Sequence, residues 1–169
     1  MLPEIGTVRV RRLLDAFGTL ERIFAAPRAE LQQVEGIGEM MARRIIESSH
    51  NRAGLDRELE LTAQHGCAIV TQADEEYPSP LRKIHDPPLA LYRKGEWRAE
   101  DAAAVAIVGS RRASLYGLRM AERLAHDLAL RGITIISGLA LGIDAAAHRC
   151  ALAAGGRRIA VLGNGLASM

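Results

Sequence analysis

Three turns in the second half of the sequence carry residue types suited to holding an anion. Gly109-Ser110-Arg111-Arg112 follows the apolar run VAIV. A serine hydroxyl and backbone amides can receive a phosphate there, and the planar fork of Arg111 can clamp it, with Arg112 beside it. Tyr116 offers a ring that can stack on a base or pack against the turn. The second turn is SGLALGID, in which Gly138 and Gly142 permit a tight loop after Ser137. Its Asp144 is placed to cap the next helix, and His148 lies four residues on, on the same face. An Asp and a His so placed could exchange protons. No nucleophile or metal-ligand set accompanies them, so the structural reading is preferred, in which the pair orders the loop. The third turn, Gly163-Asn164-Gly165, is a weak signal alone.

A different device sits near the start. Gly36-Ile37-Gly38 opens a helix whose first amides are unpaired and carry partial positive charge. Phosphate fits such a site, with Arg43 and Arg44 about a turn further along. The competing reading is a helical corner in which Gly36 and Gly38 only allow close packing. A repeat supports a hairpin unit. With a shift of 32, Ile5 aligns with Ile37, Gly6 with Gly38, Arg11 and Arg12 with Arg43 and Arg44, and Leu13 with Ile45. Glu4 stands where the second copy has Gly36; a carboxylate repels phosphate, so the first copy reads as structural.

These turns need elements to hold them. The first 50 or so residues read as four or five short helices, with Pro27 suited to a first helical turn. Residues 51–66 read as a further helix with Leu55, Leu59 and Ala63 on one stripe. Short strands are expected at 67–70 and 89–92, around a proline-rich loop, 74–88, with one helical turn. From residue 103 strands at 105–108, 133–136 and 159–162 alternate with helices at 116–130 and 144–154. Met120, Leu124 and Leu128 line one side of the first of those helices. Apolar strands joined by such helices imply a parallel, doubly wound sheet, with ligands at its carboxyl edge. The expected divisions are a helical domain over 1–52, a connecting extension over 53–102 and a Rossmann-like α/β domain over 103–169. Such sheets usually continue, so the α/β part reads as truncated. Alternatively, the two earlier strands close a small sheet with the later three.

Composition narrows the class. The 169 residues are half hydrophobic and a quarter charged, which argues against disorder. No apolar run reaches the length of a membrane span, and arginines interrupt the N-terminus, so a cytoplasmic address is expected. Cys67 and Cys150 lie far apart and read as buried free thiols, without a disulfide framework or zinc site. The net charge is only +2, and of 22 basic residues only Lys83 and Lys94 are lysines. The run after residue 108 does not fit GxGxxG, so no dinucleotide cofactor is expected.

Taken together, DEEYPSPLRKIHDPPLALYRKG, VAIVGSRRASLYG, ISGLALGIDAAAHRCAL and IAVLGNG resemble the DprA family of DNA-processing proteins. The N-terminal unit is similar to that family's sterile-alpha-motif-like or helix-hairpin-helix domain. The resemblance implies a Rossmann-like domain that binds single-stranded DNA rather than a catalyst. It implies a role in natural transformation, with RecA recombinase as partner and a homodimer in the full-length protein. It matches Gly109, Ser110 and Arg111 to a DNA-contacting loop, and Gly138, Gly142 and Asp144 to a second loop of the same pocket. The runner-up is a nucleotide or nucleoside-phosphate hydrolase of the lysine-decarboxylase-like group, which needs a later glycine-rich loop with a catalytic glutamate.

Overall fold

The computed structural model describes residues 5–50 and 53–163. The chain divides into two compact units, Met1–Gly95 and Glu96–Met169.

The first unit begins with α1 (Thr7–Phe17), α2 (Leu20–Ala25), α3 (Arg28–Leu31) and α4 (Glu39–His50). The repeat is visible in three dimensions. Gly6 and Gly38 occupy equivalent places immediately before α1 and α4; the Gly6 carbonyl accepts from the Arg9 and Val10 amides, and the Gly38 carbonyl from those of Met41 and Ala42. The aligned pairs Ile5 and Ile37, and Leu13 and Ile45, are all buried in one core with Ile23, Leu31 and Ala42. Two copies of one hairpin thus bury the same apolar positions against each other. Pro27 is the residue before α3 rather than within it. Its fixed φ suits that place, and its missing N–H costs nothing there.

Next comes α5 (Ala53–Gln64), then strands β1 (Cys67–Thr71) and β2 (Ala90–Lys94), paired antiparallel. The expected stripe on α5 is not its buried face. Leu55, Leu59 and Ala63 are exposed, and Thr62 is buried instead. The Thr62 hydroxyl donates back to the Glu58 carbonyl at 2.6 Å, which satisfies it inside its own helix.

The proline-rich segment between β1 and β2 carries the expected single turn, α6 (Ser79–Arg82). It is organised by Tyr77, which is buried and donates its hydroxyl to the Pro88 carbonyl at 2.7 Å. The Gln72 amide donates to the carbonyls of Pro87 and Pro88 at 2.9 and 3.0 Å. Arg11 of α1 pairs with Asp86 and donates to the Pro87 carbonyl, which ties the helices to this loop.

The second unit opens with a short 3-10 turn, Ala99–Ala102, then β3 (Ala104–Ala106), α7 (Leu115–Ala129), β4 (Thr134–Ser137), α8 (Ile143–Ala153) and β5 (Arg158–Ala160). The three strands form a parallel sheet in the order β3-β4-β5, separate from the β1-β2 pair. The earlier strands therefore do not close this sheet. Both crossovers step in the same direction, and right-handed crossovers of that kind place α7 and α8 on one face, where they pack together. The described residues thus supply one face of helices, not two.

That packing is made of alanine. Ala121, Ala125 and Ala129 of α7 are buried, as are Ala146, Ala147 and Ala151 of α8. The expected α7 stripe is displaced: Met120 and Leu124 are exposed, while Leu128 packs at the core's edge. Small side chains let the two helices approach where leucines would hold them apart. Gly156 joins them, since a Cβ there would lie 2.5 Å from the Ala129 Cβ.

Candidate nucleic-acid interface

The carboxyl ends of β3 and β4 are locked to each other by one carboxylate. Asp144 lies in the first turn of α8 and is 6% exposed. Its Oδ1 accepts from the Gly109 amide at 3.2 Å, and its Oδ2 from the Gly138 amide at 3.0 Å. This corrects the capping role expected from position alone. The residue before α8 is Gly142, with φ +81° and no side-chain cap. Asp144 instead bridges two turns that are distant in sequence.

The glycines explain why the turns can meet. A Cβ on Gly142 would lie 2.2 Å from the Ser110 carbonyl oxygen and 2.8 Å from that of Arg111. A Cβ on Gly109 would lie 2.7 Å from Ile143 Cγ1, and one on Gly138 would lie 2.9 Å from Asp144 Oδ2. The Ile143 amide donates to the Ser110 carbonyl at 3.3 Å, closing the contact. Gly138 also lies near the Val161 carbonyl just past β5, so the third strand ends at the same edge. Of the third turn, Asn164 and Gly165 lie outside the described residues.

Within the first turn the Ser110 hydroxyl oxygen accepts from the Arg112 amide at 3.1 Å. The side chains of Arg111 and Arg112 are exposed, and neither guanidinium has a hydrogen-bond or ion-pair partner among the described residues. Tyr116 is 74% exposed in the first turn of α7. That helix is capped by Ser114, whose hydroxyl accepts from the Gly117 amide at 3.1 Å. Sequence reasoning missed Ser114, although a serine just before an apolar helical run is the usual signal. Ser137 is buried and donates its hydroxyl to the Ile107 carbonyl at 2.6 Å, so it braces the strand end.

His148 does not share the ordering of the loop. Both its ring nitrogens are buried without a hydrogen-bond partner among the described residues. Asp144 has both carboxylate oxygens engaged by amides, so the two side chains do not form a proton-exchanging pair. Both cysteines are partly exposed rather than buried, and burial raises the Cys150 thiol above its ordinary value, with Glu122 adding to the rise.

In the helical unit, Gly36 adopts φ +84° and lies against Arg9 and Arg12 of α1, each 3.5 Å from the position of a Cβ. Arg12 donates to the Glu35 carbonyl at 3.1 Å and pairs with its carboxylate at 3.4 Å. A Cβ on Gly38 would meet open space. Arg43 pairs with Glu47 one turn along at 2.7 Å, which raises its pKa through that hydrogen bond first. Glu4 lies outside the described residues.

A family model described as DNA recombination-mediator protein A matches residues 68–169. The chain belongs to the DNA recombination-mediator protein A family. A second model, a SAM-like helix-hairpin-helix tandem, matches residues 1–50 of this family member, where the doubled hairpin lies. The chain is 37% identical to Protein Smf of Synechocystis sp. over 96% of its own length and 42% of that protein's. It is 40% identical to Protein Smf of Escherichia coli over 82% of its length and 36% of that relative's. The structure of DNA processing protein A from Streptococcus pneumoniae superposes with a TM-score of 0.75 at 28% identity, covering 97% of this chain and 55% of that one. The chain thus spans about two fifths of the curated relatives it matches. Among its described residues no helix is long and apolar enough to cross a membrane.

Proposed function

We propose that this member of the DNA recombination-mediator family binds single-stranded DNA at the carboxyl edge of its parallel sheet, as part of DNA processing in natural transformation. The observation that carries the reading is the pair of unengaged guanidiniums, Arg111 and Arg112, on a turn that Asp144 and Gly142 hold against the β4 turn. Phosphates dominate the affinity of such sites, and a backbone turn already held in place spares the cost of ordering it on binding. The contact set comprises Ser110, Arg111, Arg112 and Tyr116 directly, with Gly109, Ser137, Gly138, Gly142 and Asp144 positioning them. The turn at Gly36 and Gly38, with Arg43, is a secondary contact.

Its role in this reading is binding: among the described residues of the edge, Asp144 is engaged by two amides and the His148 ring nitrogens are buried. In the full-length protein the partner is RecA recombinase, loaded onto the bound strand by a homodimer. Fluorescence anisotropy with a labelled oligothymidylate tests the site. Arg111→Ala is expected to weaken binding about fivefold to tenfold with unchanged thermal unfolding, as suits the loss of one charge-assisted contact. Unchanged affinity would discard the site.

A further inference from the structure

The loop between β4 and α8 shows a feature that phosphate binding does not explain. Leu139 has φ +56°, the left-handed region, and is the non-glycine residue found there among the described residues. That conformation is strained for a leucine and persists only where the surroundings impose it. Its surroundings do impose it, since Gly138 is bonded to Asp144 and Gly142 abuts the backbone of Ser110 and Arg111. The result is not a buried leucine. Leu139 is 47% exposed and Leu141 is 76% exposed. The strained backbone thus presents Leu139 at the surface, with Leu141 exposed two residues on, beside a turn with two unengaged guanidiniums.

We infer that Leu139 and Leu141 form an apolar ledge for the unstacked bases of a strand whose phosphates lie on Arg111 and Arg112. This rests on the reading of the edge as a DNA site. The choice of occupant follows from charge and shape. A guanidinium pair calls for an anionic polymer, and an apolar surface beside it calls for apolar faces on that polymer. Duplex DNA keeps its base faces stacked and offers only phosphates and base edges, whereas a single strand offers both phosphate and base face. Aliphatic side chains lack the ring of an aromatic platform but bury the same base surface.

The test compares two probes of equal length, about 20 units: oligothymidylate and a base-free sugar-phosphate strand. The chain is expected to bind oligothymidylate about tenfold tighter than the base-free strand, the effect of one or two bases seated on apolar surface. Leu139→Gly and Leu141→Ser should each remove several-fold of that advantage and leave affinity for the base-free strand unchanged. Leu139→Gly should not lower thermal stability, because it relieves the backbone; a merely structural leucine would behave oppositely. Arg111→Ala should weaken both single-stranded probes equally. The ledge is overturned if both leucine variants keep the full preference for bases, or lose affinity for both strands alike. Failure of Arg111→Ala to affect either strand would instead overturn the DNA site itself. Sedimentation supplies the remaining control: leucine variants that abolish self-association while binding DNA as before would make the ledge a contact between copies and overturn the proposal.

Discussion

Asp144 is the residue on which the proposed site turns. Its two oxygens satisfy two amides that strand ends would otherwise leave open, and they join turns 35 and 6 residues away. Anion sites at sheet edges usually employ such amides for the ligand. Here an internal carboxylate occupies two of them, which leaves the anion to the arginine side chains. Asp144→Ala removes the charged acceptor of two part-buried amides and is expected to cost about 1–3 kcal/mol in urea unfolding. It should also weaken DNA binding, although the carboxylate repels phosphate. A pure electrostatic role would predict tighter binding, so anisotropy on this variant separates positioning from repulsion. Gly142→Ala should be more severe. It combines φ +81° with a Cβ 2.2 Å from the Ser110 oxygen, and a loss on the order of 3 kcal/mol follows from the strain and the clash.

At the scale of elements, the amino end of the same sheet is fastened by a different pair. Arg157, just before β5, forms a bidentate contact with Asp101 in the 3-10 turn, with Nη2 2.6 Å from Oδ2, and donates to the Glu96 carbonyl at 2.7 Å. Thr134, opening β4, adds a hydrogen bond to Asp101 Oδ1 at 3.1 Å. The Arg157 hydrogen bond holds Asp101 down to about 2, against an ordinary value of 3.8. A carboxylate depressed by folding stabilises above its unfolded pKa and loses that contribution as pH falls through the folded one. Asp101→Asn should therefore cost about 1–2 kcal/mol at neutral pH, and the gap to the unsubstituted chain should close between about pH 4 and pH 2, read by urea unfolding across pH. In the helical unit, Leu13→Ala and Ile45→Ala remove equivalent core side chains of the two hairpins. Each should cost about 2–5 kcal/mol, and similar losses would show that both copies carry the core.

Much of this architecture was legible in the sequence because it is local. The alternation of strands and helices after residue 103 follows apolar period and glycine punctuation, and the hairpin repeat follows from aligned Ile, Gly and Leu positions. What stayed hidden depends on distance. The reach of Asp144 to Gly109 is a tertiary fact, and a carboxylate in the first turn of a helix looks the same whether it caps or bridges. The inward faces of α5 and α7 depart from their leucine stripes. Leucine period marks an apolar stripe, but close approach to a neighbour selects small residues, so alanine and threonine won the buried positions. Tyr77 was invisible as an organiser because its acceptor, the Pro88 carbonyl, lies across a proline-rich loop.

For the molecule as a whole, a net charge of +2 offers little long-range attraction, so affinity for a polyanion has to come from a few placed arginines. That makes the salt dependence of binding the most direct test of the account. Affinity for a labelled oligothymidylate, followed across salt concentration, should fall log-linearly, and Arg111→Ala and Arg112→Ala should each flatten the slope by about 0.7, one neutralised phosphate apiece. An unaltered slope in both variants would mean that the phosphates lie elsewhere and would contradict the assignment of the carboxyl edge as the DNA site.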